Sequence, residues 1–506
     1  MSLLTYSTYL HNPSVLYFES FIEPSTHTIV HTQNNTHIPT QPHNKPNRLT
    51  YFHGTKVHKY NCVTNTLLHT GFKKLAKPNT DLSLFWNAQE SPEYISTFSP
   101  FTKFNHLPSS WHLGRKDLLV SHLQAFARKH RSEFAFFPPS FVLPADAGAL
   151  ENCAPHDLLI YKPANASCGR GIKVVDSPKK IKSLKKPAVV QRYLEDPLLI
   201  NKRKFDLRIY VLVTSLDPLK VYVYEEGLVR LATEEYTLAR KSLSNTCVHL
   251  TNYSVNKQSK LYVQNTDRRS SNDSTASHVS VDESNSLAQG SEHASNEAGS
   301  SKLSLTDLRK IVGTDKFEIL FSDIKSLAVK TVISAESAMI GPLHRATNHA
   351  NCQSNGIFPY SNCFELYGFD ILVDSRLKPW LLEVNVSPSL SSSSPFDRRV
   401  KTGLVADTLH LVGLVAAPGA PLPAPTKKNV LAFRNPGTRD FDEFDWRLVT
   451  TTLDEWGRRG KWQIAFPTAE NVGSLGALLE TKRYSNEVLA RWLSAPDHKF
   501  LNKRIK

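Results

Sequence analysis

Periodicity is absent at the start of the chain and strong in its middle. Residues 1–47 are rich in Thr, His, Asn, Ser and Pro and nearly uncharged until Lys45, so they are expected to form a disordered leader. Only 17–22 is apolar enough to dock. From about 48 the pattern tightens. Residues 67–72 (LLHTGF) and 81–86 (DLSLFW) read as a helix end followed by a strand, and 114–130 has helical apolar spacing at Leu118, Leu119, Leu123 and Phe126. Pro138 and Pro139 make 136–143 a loop entering an extended segment.

Strand signals are densest from 158 to 236. Residues 158–162 (LLIYK) and 188–193 (AVVQRY) are short apolar strands. Residues 205–214 (FDLRIYVLVT) alternate, with Lys204, Asp206, Arg208 and Tyr210 on one face and Phe205, Leu207, Ile209 and Val211 on the other. Residues 220–224 (KVYVY) follow the Asp217-Pro218 turn as a hairpin partner. Residues 264–301 lack periodicity and read as a disordered surface insertion. Residues 305–333 are helical in pattern, with a break at Gly313. Two strands, 364–373 and 380–386, then lead through a Ser-rich turn to a helix at about 399–416. Residues 418–428 form a Pro/Ala linker, and the tail beyond it is helical in patches.

Composition adds limits. A length of 506 residues suggests about three domains. With 40% apolar residues, a sizeable core is available. The net charge of +15 points to an acidic partner. Its distribution is more informative: residues 162–260 carry nineteen Lys or Arg against nine Asp or Glu, whereas 264–301 carry two Arg against six acids. A charge excess inside strand-patterned sequence implies a folded cationic groove rather than a nucleic-acid-binding arm. The six Cys form no CxxC pair or zinc spacing, which fits reduced thiols. The first residues, MSLLTYSTYLHNPS, lack a basic segment followed by an apolar one, so no signal peptide is expected, and no run of 18 apolar residues suggests a membrane span.

Four constellations carry candidate chemistry. In the first, Lys162 ends a strand and Gly169-Arg170-Gly171 follows. Glycines let backbone N–H groups approach phosphate oxygens, and Lys and Arg neutralise them, although a lone GRG loop is a weak signal that an ordinary turn explains better. In the second, Asp370, Glu383 and Asn385 converge from adjacent strands and supply hard oxygen ligands suited to Mg²⁺. Residues 383 and 385 share a face, while Leu382, Val384 and Val386 are expected to point into the core. A solvated polar strand face is the plain alternative, but two acids between near-continuous apolar runs need cations or donors. The third is the row Lys204, Asp206, Arg208 with Arg230, in which the like charges repel unless an anion lies among them. The fourth is the polar segment 249–257, in which a lone His249 reads as structural.

The order of these signals resembles the ATP-grasp architecture, in which two α/β lobes clamp a nucleotide. The resemblance extends to a family. LEDPLLINKRKFDLRIYVLVTSLDPLKVYVYEEGLVRLATEEY, CVHLTNYSVNK and CFELYGFDILVDSRLKPWLLEVNVSPSL resemble the tubulin–tyrosine ligase-like proteins, nearest to their polyglutamylase branch. NHLPSSWHLGRKDLL resembles that family's N-terminal domain. The similarity covers about 48–416, with a fainter likeness in 444–493.

The resemblance implies an α/β (α+β) ATP-grasp fold with a smaller N-terminal α/β domain. The expected divisions are a leader at 1–47, the N-terminal domain at 48–157, a central lobe at 158–235, a C-terminal lobe at 236–416 and a linker with a partly helical tail at 417–506. It further implies an ATP- and Mg²⁺-dependent ligase that adds free glutamate to glutamates of tubulin C-terminal tails on microtubules, in the cytoplasm, on the cytoskeleton, in the cilium or at the basal body. Neither nucleic acid nor membrane is an expected partner. Lys162, Arg170 and Gly171 would hold phosphates, and Gln191, Tyr193 and Leu194 would meet adenine at a hinge. Asp370, Glu383 and Asn385 would bind the metal. Arg208 and Arg230 would stabilise the acylphosphate, while Lys204, Thr251 and Asn252 would contact nucleotide or amino acid. One departure is Lys302-Leu303-Ser304-Leu305, which lacks the Trp of the family's GxKWxL motif and follows the 264–301 insertion. Donor choice among glutamate, glycine and tyrosine stays open, as does an inactive microtubule-binding scaffold.

Overall fold

The computed structural model describes residues 4–5, 15–16, 18, 49–79, 82–154, 157–164, 166, 169–181, 184–265, 300–355, 357–415 and 436–494. Three sheets organise it. The first is a small parallel sheet in the order Lys73–Leu75, Thr50–His53, Leu84–Trp86, Lys103–Phe104. Helix Asn61–His69 makes the crossover between its first two strands in sequence, as parallel pairing requires.

The second sheet is antiparallel, in the order Ser140–Leu143, Ala188–Arg192, Leu159–Pro163, Lys173–Val175. The third is eight-stranded and is built around the long strand Arg203–Leu216. One edge of that strand pairs with Leu228–Leu231 and then with Leu219–Tyr224, and the other pairs with Glu365–Val373, which in turn pairs with Pro379–Asn385. All nine residues of Glu365–Val373 are buried, which explains its nearly unbroken apolar run. Helix Thr314–Arg345 buries Phe317, Leu320, Phe321, Ile324 and Leu327, a stripe at helical spacing. A capping box between Ser304 and Asp307 starts the preceding helix Leu305–Val312, and Gly313, at φ 89°, separates the two.

Several expectations change. The division at 235 does not follow the sheets: the second sheet begins at Ser140, and 203–231 belongs to the same sheet as 365–385. The reason is that Arg203–Leu216 is the shared pairing partner of both neighbours. The leader is not wholly separate, because Val15, Leu16 and Phe18 are buried and the Leu16 N–H donates to the Leu414 carbonyl at 2.9 Å. The single helix expected over 114–130 divides at Arg115 into Trp111–Gly114 and Lys116–Lys129. Gly114 packs so closely on Val386 that a Cβ would lie 2.4 Å from its Cγ2. The helix expected at 399–416 runs instead over Pro395–Val412, capped by Ser394 and closed by Gly413 at φ 72°.

The tail is part of the core. Strand Trp462–Phe466 extends the third sheet beside Leu219–Tyr224, and helices Glu443–Gly457 and Tyr484–Leu493 cover it. The ends of the 264–301 insertion meet where the Ser301 N–H donates to the Val263 carbonyl at 2.9 Å, and 266–299 lies outside the described residues, as does the 418–428 linker. The five described cysteines are free. Among the described residues no helix is long and apolar enough to cross a membrane.

Candidate functional site

A cleft opens between the second and third sheets. Pro138, Ile160, Ile172, Leu194, Leu250, Leu372 and Leu382 give it apolar walls, while Lys162, Gln191, Lys204, Asp206, Thr251, Asn252, Asp370 and Glu383 supply polar groups. A few convergent charges in an apolar slot suit a flat ring carrying an anionic chain.

The strand register aims the lysines. Lys162 stands opposite Val189, and its ammonium donates to Gln191 Oε1 at 2.6 Å and to the Leu382 carbonyl at 3.3 Å. Burial pushes it down to about 8, against the pull of Glu383. Lys204 Nζ donates to the Tyr193 hydroxyl at 2.9 Å and lies 4.2 Å above the same ring. Burial lowers it to about 7, with Asp206 opposing the shift. Two buried ammoniums shifted toward neutrality form a site that gains from an anionic ligand.

Asn256 fastens the segment that carries Thr251 and Asn252. Its carboxamide accepts from the Thr233 N–H at 2.9 Å and donates to the Leu250 carbonyl at 2.8 Å. This brings Asn252 beside the glycine loop, where a Cβ at Gly169 would approach Asn252 Oδ1 to 3.2 Å. Gly169 and Gly171 both have positive φ, 75° and 72°. Ser167 and Cys168 of this loop lie outside the described residues. Arg170 and Gly171 are exposed and do not line the cleft, whereas the next residue, Ile172, does.

Behind the lysines lies a buried four-charge cluster. Arg208 donates to both oxygens of Asp370, at 2.6 and 3.2 Å, and Arg230 grips Asp206 at 2.7 and 2.5 Å while reaching Asp370 Oδ2 at 2.9 Å. Burial alone would raise the Asp370 carboxyl, but the two guanidinium groups outweigh it and hold that carboxyl well below the carboxylate range. The anion needed among the basic residues of strand 203–216 is therefore protein: Asp206 and Asp370. The arginines sit beneath the cleft and are not among its lining residues.

Asp370 pairs with Glu383 across strands, but a bulge follows, so that Ile371 pairs with Leu381. The extra residue is Leu382, which lines the cleft instead of entering the core as alternation would have it. Val386, also expected in the core, is half-buried, whereas Val384 is buried. Asn385 donates to the Gly368 carbonyl at 3.2 Å and lies 3.5 Å from Glu383 Oε1, outside the cleft lining.

Among the described residues, no group of three or more His, Cys, Asp or Glu gathers to hold a metal. The proposed ligands nevertheless fit Mg²⁺ bound partly by substrate phosphates. A carboxylate has about four acceptor positions, and Asp370 has three contacts, so one position remains. Glu383 has only long contacts, to Lys116 at 3.5 Å and to Asn385 at 3.5 Å.

Sequence reasoning assigned no site role to three contributors. Asp206 lines the cleft, and its position between Lys204 and Arg208 on an alternating face was the available signal. Lys116, at the start of helix Lys116–Lys129, reaches both Glu383 and the Ala166 carbonyl, the latter at 3.0 Å. His249 also lines the cleft and hydrogen-bonds to Tyr193.

Comparison with known proteins adds independent information. Residues 95–285 and 270–420 match the model of the tubulin-tyrosine ligase family. The chain is 33% identical over 469 residues to human tubulin polyglutamylase TTLL5, covering 85% of this chain and 34% of that protein. It is 34% identical over 489 residues to human tubulin monoglutamylase TTLL4, covering 88% of this chain and 37% of that protein. It is 35% identical over 365 residues to zebrafish (Danio rerio) tubulin polyglutamylase ttll6, covering 71% of this chain and 42% of that protein. The chain thus spans roughly a third to two fifths of the length of these relatives.

Proposed function

The chain belongs to the tubulin-tyrosine ligase family, whose fold is ATP-grasp-like, and from that premise we propose that it is an ATP-dependent ligase joining glutamate to glutamate side chains in tubulin C-terminal tails. The observation that carries this reading is the cleft, where Lys162 and Lys204 sit buried and short of negative charge beside Asp370 and Glu383. The names of the relatives, tubulin polyglutamylase and monoglutamylase, support the donor and acceptor.

In this reading the acceptor γ-carboxylate attacks the terminal phosphorus of ATP and ADP departs, leaving an acylphosphate. The amine of free glutamate then attacks the acyl carbon, phosphate leaves, and an isopeptide bond forms. The first step needs alignment and charge neutralisation more than covalent help. Lys162 and Lys204 neutralise phosphate oxygens, while Arg170 and Gly171 stand on the adjoining glycine loop, outside the cleft lining. Gln191, Tyr193 and Leu194 border the apolar slot for the base. Asp370, Glu383 and Asn385 would hold Mg²⁺, which would supply further neutralisation. Arg208 and Arg230 act from beneath, by fixing Asp206 and Asp370 at the floor of the cleft through their ion pairs. Thr251 and Asn252 contact the nucleotide or the incoming amino acid. A tubulin substrate places the enzyme on the cytoskeleton.

The test is incubation with ATP, tubulin and each of radiolabelled glutamate, glycine and tyrosine. Glutamate label in tubulin that requires ATP is the expected result, and it should decline with rising ionic strength because the tail is acidic. Label from glycine or tyrosine instead would reassign the donor. No transfer of any of them, with nucleotide still bound, would favour a scaffold.

A further inference from the structure

Within the cleft, Lys204 has no carboxylate partner within ion-pair distance among the described residues. Its one described hydrogen bond is to the Tyr193 hydroxyl, at 2.9 Å. That hydroxyl also meets His249 Nδ1 at 2.8 Å, and His249 Nε2 meets the Ser242 carbonyl at 3.1 Å. A carbonyl only accepts, so Nε2 carries the proton and Nδ1 is left as an acceptor. Tyr193 therefore donates to Nδ1 and turns its oxygen lone pairs toward the Lys204 ammonium. The Tyr236 hydroxyl, a further neighbour of Tyr193, donates to the Glu195 carbonyl at 2.9 Å, so the neutral His249 ring that Ser242 orients presents Nδ1 as the acceptor for Tyr193.

We propose that His249 is a positioning residue for nucleotide binding: through Tyr193 it holds the Lys204 ammonium aimed into the cleft. The inference deepens the ATP-dependent reading and rests on it. The surroundings fit the role. His249 is 2% exposed, packed edge-on against Tyr193 with ring centroids 5.6 Å apart. Burial, reinforced by Lys204, lowers its imidazole to about 4, so the neutral form needed by the relay is the one present at neutral pH. The short helix Thr246–His249, capped by Asn245, sets the ring's place, and Leu243 packs against Tyr193 on the same strap. A protonated imidazole would turn Nδ1 into a donor, take Tyr193's lone pair and repel the ammonium.

The experiment measures binding of a fluorescent ATP analogue to the full chain for wild type, His249→Ala, Tyr193→Phe, the double variant and His249→Gln. Loss of one hydrogen bond predicts about five- to tenfold weaker binding in each single variant. The double variant should be no weaker than the worse single one, because both changes break the same relay. Glutamine offers an acceptor for Tyr193 and a donor for Ser242, so His249→Gln should recover most of the affinity. In turnover, KM for ATP should rise while KM for tubulin holds. Additive losses, or wild-type binding by His249→Ala, would overturn the relay while leaving the ATP reading intact. Failure of the wild type to bind the analogue would instead remove that reading.

Discussion

Arg230 and Asp206 stand directly opposite each other on adjacent antiparallel strands, and the guanidinium clasps both carboxylate oxygens, at 2.7 and 2.5 Å. Arg208 and Asp370 repeat the arrangement on the other edge of the same strand. Arg230 also touches Asp370, so the four charges form one neutral unit. Buried pairs of this kind gain little over apolar packing, but removing a single member strands a charge at about 3–5 kcal/mol.

Asp370→Ala should therefore lower stability by ~3–5 kcal/mol, read as a fall in the midpoint of denaturant unfolding. The acid side gives a second check. The folded Asp370 carboxyl lies below its unfolded value, so its contribution is complete above the ordinary carboxylate range and is lost as pH falls through and below it. The variant should show a shallower loss of stability in acid than the wild type. An unchanged midpoint would mean that the four charges do not act as a unit.

Glu383 is the contrasting case. It is half-buried, with only long contacts to Lys116 and Asn385. Glu383→Gln keeps shape and polarity, so folding should change by less than about 1 kcal/mol. Ligase turnover should nevertheless disappear, because an amide is a poor magnesium ligand. The measurement pairs a thermal melt with an amino-acid transfer assay. Near-normal turnover would remove Glu383 from the metal site.

The contrast also shows what the sequence could reveal. The alternation over 205–214 is readable because one face is charged and the other apolar, and that pattern alone puts Lys204, Asp206 and Arg208 side by side. Their partners are not readable. Asp370 lies 162 residues beyond Arg208, and His249 lies 56 beyond Tyr193, so only the closed fold sets either pairing. The bulge after Asp370 is hidden for another reason. Strict alternation assumes no inserted residue, and one insertion moves Leu382 from the core to the cleft wall.

Lys204 makes the cleft sensitive to pH. Its ammonium is lowered by burial to about 7, whereas an unfolded lysine titrates near 10.4. Between those values the native chain binds fewer protons than the unfolded one, so the ligand-free protein should gain stability as pH rises across the window. Nucleotide affinity should run the other way, because phosphate favours the charged ammonium. Titrating an ATP analogue from pH 6.5 to 9 should show affinity falling through about 7–8. Lys204→Arg, which keeps its charge, should retain only the part of the slope due to Lys162, centred near 8. A wild-type slope in that variant would place the titration elsewhere.

A buried ion pair ties the tail to the third sheet. Glu455, on helix Glu443–Gly457, reaches the third sheet, where its carboxylate accepts from Lys220 at 2.9 Å, from the Tyr222 hydroxyl at 2.7 Å and from Thr214. Burial alone would raise the Glu455 carboxyl, yet Lys220 and Arg458 overcome this and hold it below its usual value. Both partners of the ion pair are buried, so Glu455→Ala leaves the Lys220 ammonium without its carboxylate at a cost of about 3–5 kcal/mol. Glu455→Gln keeps an acceptor for the two hydroxyls and should cost less. Ending the chain at residue 435 should be worse than either. It removes strand Trp462–Phe466 and bares the edge of Leu219–Tyr224, a strand whose six residues are all buried. That truncated chain should be insoluble or aggregate on purification, and the two point variants should unfold at graded denaturant concentrations. A soluble, cooperatively folding 1–435 fragment would show that the tail is an appendage and not a layer of the core.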